Sequence, residues 1–369
     1  MKPQPEVIVC VGTGGVGKTT VSAAIGVAHA LKGRKTLVMT IDPAKRLAQS
    51  MGLNALKGIP TPIPLPASGG MDTGGRLYAM ILETRTTFNN LIRKYSESPQ
   101  KADAILNNSY YRYVSGELAG SEDYMAMEKL YEIKNEYDYD LIVVDTPPAR
   151  HAINFLTAPN RLIQLISSGV LKWLVKPSMS ISLLGLNILN RAPQKVVRLL
   201  KSYVGLEIVE ELTDFFGEFE ELYSGFKTRA KDVQALLASK KVRFYMVTMP
   251  TRDAVEEAVY FYSIMKGFDI NFAGFIINKV HGPFYGSDAL RDDVSSFIHG
   301  PGIDERLRRT VEETLSMDRL ARHDKQLTDY LKTRIRLSRI EYHTIYLMMD
   351  RELTNLSALV ELSKALDGI

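Results

Sequence analysis

The sequence predicts an α/β protein with a doubly wound, mostly parallel sheet and an inserted α-helical subdomain. Short apolar runs rich in β-branched residues recur along the chain, as expected for strands that are buried on both faces. These runs lie at residues 7–11, 36–41, 77–82, 141–144, 243–249, 272–277 and 344–349. Helical patterns separate most of them, and this alternation is typical of a parallel sheet covered by helices.

One long segment interrupts the alternation. Residues 150–239 contain no convincing strand and carry apolar residues at helical spacing, so we interpret them as a helical subdomain inserted into a single domain of residues 1–369. Within this segment, residues 178–190 contain no charged residue. Because a solvent-facing helix normally carries charges, this stretch is either packed inside the protein or exposed as a surface for an apolar partner.

The composition of the chain argues against several kinds of partner and site. The chain has 369 residues and a net charge of +4, with basic and acidic residues interspersed, so no nucleic-acid partner is expected. Cys10 is the only cysteine, which excludes an intramolecular disulfide and a metal site built from cysteines. Neither a secretory signal nor a membrane-spanning run is apparent. We therefore expect a cytoplasmic protein, and peripheral contact with a membrane stays open.

The first apolar run leads directly into a glycine-rich loop. Residues 12–20 read GTGGVGKTT and match the phosphate-loop pattern G-x-x-x-x-G-K-[ST], with a helical pattern following. The glycines allow backbone N–H groups to point at phosphate oxygens, and the helix dipole adds to that field. Lys18 can reach the β- and γ-phosphates, and the Thr19 hydroxyl can bind Mg²⁺. The predicted phosphate-binding residues are Gly12, Thr13, Gly14, Gly15, Val16, Gly17, Lys18, Thr19 and Thr20. The fold prediction therefore becomes a P-loop NTPase.

Polar side chains follow three of the predicted strands. Asp145 ends the run 141–144, where phosphate-loop ATPases place a carboxylate that holds Mg²⁺ through water, although a turn-capping role is the simpler alternative. Asp42 can orient or deprotonate the attacking water, or it can cap a helix that begins at Pro43. Asn278 can pair with adenine, but asparagine is also common in turns.

These motifs occur in the order and spacing of one known family. The loop 12–20, residues 41–44 (IDPA), residues 145–151 (DTPPARH) and residues 276–279 (IINK) resemble those of the ArsA-type ATPases. That family includes the arsenite-pump ATPase and the ATPase that targets tail-anchored membrane proteins. The resemblance covers essentially the full length of the chain.

The resemblance implies a dimer that closes around two ATP molecules, and two switch segments that report the γ-phosphate to the helical subdomain. It implies catalytic roles for Asp42 and Lys18 and a Mg²⁺ ion held, partly through water, by Thr19, Asp42 and Asp145. It also implies that Asn278 reads adenine. The remaining implied residues are Pro43, Asp145, Pro147, Arg150 and His151 in the switches and Asp350 in the loop over the adenine ring.

This sequence departs from the family at Thr13, where the usual loop carries a lysine that reaches the phosphate of the partner subunit. Threonine cannot supply that charge, which leaves three alternatives. Hydrolysis is slow, or Lys45, Arg46 or Arg150 replaces the charge, or the chain forms a heterodimer with a lysine-bearing paralogue instead of a homodimer.

The single cysteine removes two other features of the family. A zinc ion clamped between subunits by Cys-x-x-Cys pairs is not expected, and neither is an arsenite site built from thiolates. The expected cofactors are therefore ATP and Mg²⁺ alone.

Two function classes follow from the resemblance. In the first, ATP drives the capture of a hydrophobic protein client or a membrane-associated partner by the helical subdomain. In the second, the chain is a positioning or assembly switch of the MinD/ParA kind. Residues 353–369 mix acidic and basic residues with leucines, which is typical of a helix covering a sheet and unlike a basic membrane anchor. This favours the first class.

Overall fold

The computed structural model describes residues 5–42, 45–65, 76–108, 111, 121–148, 156–161, 163–164, 222–335, 339–347 and 355–369. The chain divides into two compact units. The first comprises Met1–Ile81, Tyr137–Ala152 and Ser239–Ile369, and the second comprises Leu82–Glu136 and Ile153–Ala238. The second unit thus takes in residues 82–136 in addition to most of the segment 150–239 that was expected to form the insertion.

The first unit contains an eight-stranded sheet. Its strands are β1 (Glu6–Gly12), β2 (Lys35–Thr40), β3 (Thr61–Ile63), β4 (Arg76–Ile81), β5 (Leu141–Asp145), β6 (Val242–Thr248), β7 (Asn271–Val280) and β8 (Glu341–Tyr346). The order across the sheet is β3-β4-β2-β5-β1-β6-β7-β8, and every neighbouring pair is parallel except β3 with β4. The predicted doubly wound, mostly parallel α/β sheet is confirmed.

Helices accompany the strands of this unit. They are α1 (Lys18–Leu31), α2 (Arg46–Ser50), α7 (Arg252–Met265), α8 (Asp288–Ile298), α9 (Glu305–Ile335) and α10 (Leu356–Ser363), and a 3₁₀ turn (Lys364–Leu366) follows the last. Helix α1 is buried along almost its whole length because it packs on the sheet and against α10. Its Gly26 allows that approach, since a Cβ there would lie 2.3 Å from a methyl group of Val38 in β2.

Two strands differ from the sequence-based expectation. No strand was expected between the apolar runs 36–41 and 77–82, but Thr61–Ile63 pairs antiparallel with β4. Three residues are too few to show strand periodicity, and Pro62 is tolerated because β3 is an edge strand. The last strand was expected at 344–349 and instead lies at Glu341–Tyr346, where its first residues are only partly apolar.

The second unit is helical in its described part. Its helices are α3 (Thr84–Tyr95), α4 (Pro99–Asn107), α5 (Ser121–Glu136) and α6 (Leu222–Leu237). Phe226 of α6 meets Phe88 and Tyr95 of α3, with ring centroids 6.1 and 6.0 Å apart. A buried ion pair between Glu128 and Arg229 links α5 to α6. None of the described helices has the length and apolar character that crossing a membrane requires.

Candidate functional site

The glycine-rich loop joins β1 to α1 at the carboxyl edge of the sheet. A Cβ on Gly12 would lie 2.2 Å from the Val247 carbonyl oxygen of β6, so this position requires glycine. Gly15 and Gly17 have φ angles of 80° and 90°, in the left-handed region that disfavours other residues. The three glycines therefore bend the chain tightly between the buried strand and the first turn of α1.

Lys18 is folded back onto this loop. Its Nζ donates a hydrogen bond of 2.8 Å to the carbonyl oxygen of Thr13, and the lysine is largely buried. Burial lowers the pKa of Lys18, while the negative charges of Asp145 and Asp42 raise it. The ammonium group thus lies between the loop and the two carboxylates, where a phosphate would compete for it.

A hydrogen-bonded chain joins Asp42 to Asp145 through Thr40. The register of β2 and β5 sets Thr40 opposite Asp145, and the Thr40 hydroxyl donates a hydrogen bond of 2.9 Å to Asp145 Oδ2. The Asp42 backbone N–H donates to the same hydroxyl oxygen at 3.2 Å, and the Ile41 N–H donates to the Asp145 carbonyl at 3.0 Å. The sequence analysis overlooked Thr40. Its place two residues before Asp42, at the end of the same predicted strand, was the available signal.

Asp145 is fully buried, and its burial shifts the pKa of its carboxyl group. Burial raises the pKa of Asp145 to about 6, whereas the nearby Thr19 and Thr40 hydroxyls and the Lys18 ammonium lower it. Its Oδ1 atom has no hydrogen-bond partner in the described part of the chain. An unpaired buried carboxylate oxygen is costly unless a cation or a water molecule completes it.

The oxygen atoms gathered here suit a small hard cation. Asp42 and Asp145 contribute carboxylates and Thr19 contributes a hydroxyl, and Mg²⁺ prefers such oxygen ligands together with phosphate oxygens and water. Within the described ranges, no group of three or more His, Cys, Asp or Glu side chains forms an all-protein metal site. The residues present therefore fit a Mg²⁺ ion that is shared with a bound phosphate.

A cavity of about 290 Å³ opens beside the loop. It is lined by Gly14, Gly15, Gly17, Lys18, Thr19, Thr20, Asp42, Arg46, Gln49, Ser50, Thr146 and Pro148. The lining brings together most of the predicted phosphate-loop residues with Asp42. Gln49 and Ser50 were not singled out from the sequence, because nothing in their local pattern distinguishes them from ordinary helix residues. Thr146 and Pro148 belong to the motif 145–151 that carries the family resemblance, but neither was given a role of its own.

Several other predicted site residues lie around the cavity without lining it. They are Gly12, Thr13, Val16, Pro147, Asp145 and Asn278. Thr13 and Asp145 are buried. Pro43, Arg150, His151 and Asp350 lie outside the described residues, so their predicted roles in the switches and the adenine loop stay predictions.

Asn278 braces the phosphate loop from β7. Its Nδ2 donates a hydrogen bond of 2.8 Å to the Val16 carbonyl, and its Oδ1 accepts one of 2.9 Å from the Lys279 N–H. A Cβ on Gly17 would lie 2.4 Å from Asn278 Nδ2, so the close packing depends on that glycine. Each amide atom retains one further hydrogen-bonding position, and adenine recognition by Asn278 stays a prediction.

The fold and the site together define a class of protein. A parallel sheet with a phosphate loop after β1, a carboxylate after β2 and another at the end of β5 is the architecture of a P-loop nucleoside-triphosphatase. The chain belongs to the anion-transporting ATPase (ArsA ATPase) family, whose model matches residues 5–289. It is therefore an ATPase that hydrolyses ATP.

Relatives agree with this assignment. The chain is 27% identical over 278 residues to a protein of Aquifex aeolicus whose provisional name is arsenical pump-driving ATPase 2, covering 73% of this chain and 78% of that protein. It is 25% identical over 282 residues to ATPase ASNA1 homolog 2 of Paramecium tetraurelia, covering 74% and 75%. It is 30% identical over 172 residues to ATPase GET3 of Komagataella phaffii, covering 42% and 45%. Pump-driving ATPases and ASNA1/GET3 ATPases thus both resemble it.

Proposed function

We propose that this ATPase is a Mg²⁺-dependent, dimeric switch that couples its nucleotide state to the binding of a hydrophobic protein client or a membrane-associated partner. The observation that carries the proposal is the link from Asp42 through Thr40 to Asp145 beside the phosphate loop. This link connects the segment after β2 with the end of β5. A γ-phosphate that contacts one of these two segments would therefore also change the position of the other.

Hydrolysis at this site is mainly a matter of position and charge. The loop glycines present backbone N–H groups to the phosphates, and Lys18 releases the Thr13 carbonyl to contact the β- and γ-phosphates. Thr19, Asp42 and Asp145 would hold Mg²⁺, which when bound neutralises charge on the β- and γ-phosphates.

Asp42 lines the cavity and is the group that can act on water. Its carboxylate orients a water molecule whose oxygen forms a bond to the γ-phosphorus, while the bond from that phosphorus to the bridging oxygen breaks. The electron pair of the broken bond stays on ADP, and the proton lost by water passes by way of Asp42 to the released phosphate. Release of phosphate then removes the contact that holds the two switch segments.

The proposals of a dimer and of an apolar client are based on the family resemblance and on the sequence of the second unit. Members named ASNA1 and GET3 are among the relatives, and the family resemblance implies a groove for an apolar helix in the helical subdomain. The uncharged stretch 178–190 falls within the sequence range of the second unit, outside the described residues. Its composition supports an apolar client.

The test of the catalytic assignment is the variant Asp42→Asn. It should bind ATP within a few-fold of the natural protein, because the phosphate loop is intact, and turnover should fall by about 100-fold or more through loss of the carboxylate. A matched control is Asp269→Asn, since Asp269 is exposed in the loop before β7. Turnover of Asp42→Asn equal to that of the control would overturn the assignment.

The same variant tests the coupling. Because it retains ATP, it should stay in the closed state, and affinity capture with ATP should retain the client or partner. Recovery of a paralogous ATPase would identify a heterodimer, and recovery of a membrane protein would identify a client. Sedimentation with liposomes and ATP, without any protein partner, would instead favour a switch of the MinD/ParA kind.

A further inference from the structure

The cavity beside the phosphate loop is lined by a positive charge in addition to that of Lys18. Among the described residues that line it, the cations are Lys18 and Arg46. The loop carries Thr13 where the family has its cross-subunit lysine, so the loop itself supplies only one ammonium group. Negative charge develops on the phosphate oxygens during hydrolysis and requires a nearby cation.

Arg46 lies directly beside the reacting region. It is the first residue of α2, and its Nη1 is 3.8 Å from Asp42 Oδ2. This separation exceeds hydrogen-bond length, and 68% of the arginine side chain is exposed. The guanidinium is therefore close to the residue that positions water, yet it is not held there by a short contact with Asp42.

The same side chain shares the cavity with the phosphate-binding lysine, since Lys18 and Arg46 both line it. Two cations that repel each other across a cavity are both stabilised when an anion enters between them. The two groups thus converge on the region where a triphosphate would lie.

Other basic residues near the loop are less well placed. Lys45 is exposed, and it is not among the residues that line the cavity. Lys279 Nζ donates to the Gly15 carbonyl at 3.2 Å, and Lys279 does not line the cavity either. Of the three sequence candidates for a replacement charge, Arg150 lies outside the described residues.

We propose that Arg46 faces the γ-phosphate within its own subunit and supplies the positive charge that a loop with Thr13 lacks. The proposal rests on ATP hydrolysis in this cavity as described above. The planar guanidinium can donate two hydrogen bonds to phosphate oxygens at once, which an ammonium cannot. It neutralises negative charge on the transferring phosphoryl group while the bond to the bridging oxygen breaks.

Three variants test this role: Arg46→Ala, Arg46→Lys and the neighbouring control Lys45→Ala. Arg46→Ala should lower kcat by about 100-fold, as for loss of one stabilising donor at a reaction centre. ATP affinity should fall about tenfold while ADP affinity changes less than threefold, because the lost contact is to the γ-phosphate. Arg46→Lys should recover part of kcat, and Lys45→Ala should stay within about threefold of the natural protein.

A second measurement separates a role in the transition state from support of Asp42. ADP with aluminium fluoride and Mg²⁺ mimics the phosphoryl group in transfer, and its binding should weaken more in Arg46→Ala than the binding of ATP does. If Arg46 acted only through Asp42, Arg46→Ala would not weaken the analogue any further in the Asp42→Asn background, and the proposal would be overturned. An equal loss of kcat in Lys45→Ala would also overturn it, since the effect would then not be specific to Arg46.

The failure of this proposal differs from failure of the proposed function. If Asp42→Asn loses turnover while Arg46→Ala keeps it, the cavity hydrolyses ATP without help from Arg46. If Asp42→Asn retains full turnover, the catalytic assignment itself is wrong, whatever Arg46 does. Thermal unfolding of each variant shows whether a loss of kcat reflects loss of folded protein.

Discussion

Two arginine–carboxylate pairs in this protein differ sharply in their surroundings. In the second unit, Arg229 makes hydrogen bonds of 2.6 to 2.9 Å to both carboxylate oxygens of Glu128, and the two side chains are 7% and 3% exposed. In the first unit, Nη1 of Arg46 lies 3.8 Å from Oδ2 of Asp42, and these side chains are 68% and 24% exposed. One pair is fixed inside the fold, and the other can rearrange.

This difference indicates which pair has a structural role and which pair is available to bind a ligand. Arg229 also stacks on Tyr131, with its guanidinium carbon 3.7 Å from the ring centroid, so it has little room to move. Burial makes such a pair costly to break, whereas an exposed pair contributes little to stability. The looser Arg46–Asp42 pair can therefore exchange its mutual contact for phosphate and water at small cost.

The largest effect is expected from breaking the buried pair. Arg229→Leu leaves the Glu128 carboxylate buried without its partner, and the free energy of unfolding should fall by about 3–5 kcal/mol. Urea unfolding followed by far-ultraviolet circular dichroism measures it, with the transition of the helical unit expected at lower urea.

The control for this prediction removes both charges. In Glu128→Leu/Arg229→Leu no charge is left buried without a partner, so the double variant should be more stable than Arg229→Leu alone. A single variant that loses less than about 1 kcal/mol would show that water reaches Glu128 and that the pair is not sealed inside the unit.

These two pairs also show how far the sequence could predict the structure. Local signals located the strand, loop and helix from Glu6 to Leu31, because the glycines, Lys18 and the flanking apolar runs are contiguous. The Glu128–Arg229 pair could not be read from the sequence, because its members are 101 residues apart and each resembles a surface charge on a helix. Only the packing of α5 against α6 brings them together.

The residues of the candidate site also fall into some that the sequence could predict and some that it could not. Most of the loop residues singled out from the sequence line one cavity together with Asp42, because the carboxyl ends of parallel strands meet at one edge of a sheet. Thr40 was overlooked, because its contact with Asp145 depends on β2 and β5 being neighbours, and strand order is not a local property. Of the cations Lys45 and Arg46, the sequence could not say which one lines the cavity, because their orientation is set by where α2 begins.

An intermediate effect is expected from a basic cluster at the amino end of β2. His29 is buried, and its Nδ1 accepts a hydrogen bond of 3.1 Å from Arg34, which requires a neutral ring. Burial, followed by the charges of Arg34 and Lys32, lowers the pKa of His29 to about 4, and Arg243 acts in the same direction. This cluster differs from both pairs because one member must stay uncharged.

The lowered pKa makes stability depend on pH in a defined direction. Between about pH 6.5 and pH 4 the unfolded chain binds a proton at His29 and the folded protein does not, so the free energy of unfolding falls as the pH falls. Partial solvent screening limits the loss to about 1–2 kcal/mol. His29→Gln should flatten this part of the curve in urea unfolding at pH 7, 6, 5 and 4. A slope that is identical in the variant would assign the titration to other groups.

The smallest effect on stability is expected from the pair at the cavity. Arg46→Ala removes an exposed contact of 3.8 Å and places a good helix former in α2, so the free energy of unfolding should change by less than about 0.5 kcal/mol. Urea unfolding under the conditions used for Arg229→Leu measures it. The two arginine variants should therefore separate cleanly, with stability lost at Arg229 and ATP turnover lost at Arg46. A loss of about 2 kcal/mol or more in the free energy of unfolding of Arg46→Ala would exceed what an exposed ion pair contributes. It would mean that this arginine holds the segment after β2 in place, and the contrast between the two pairs would be false.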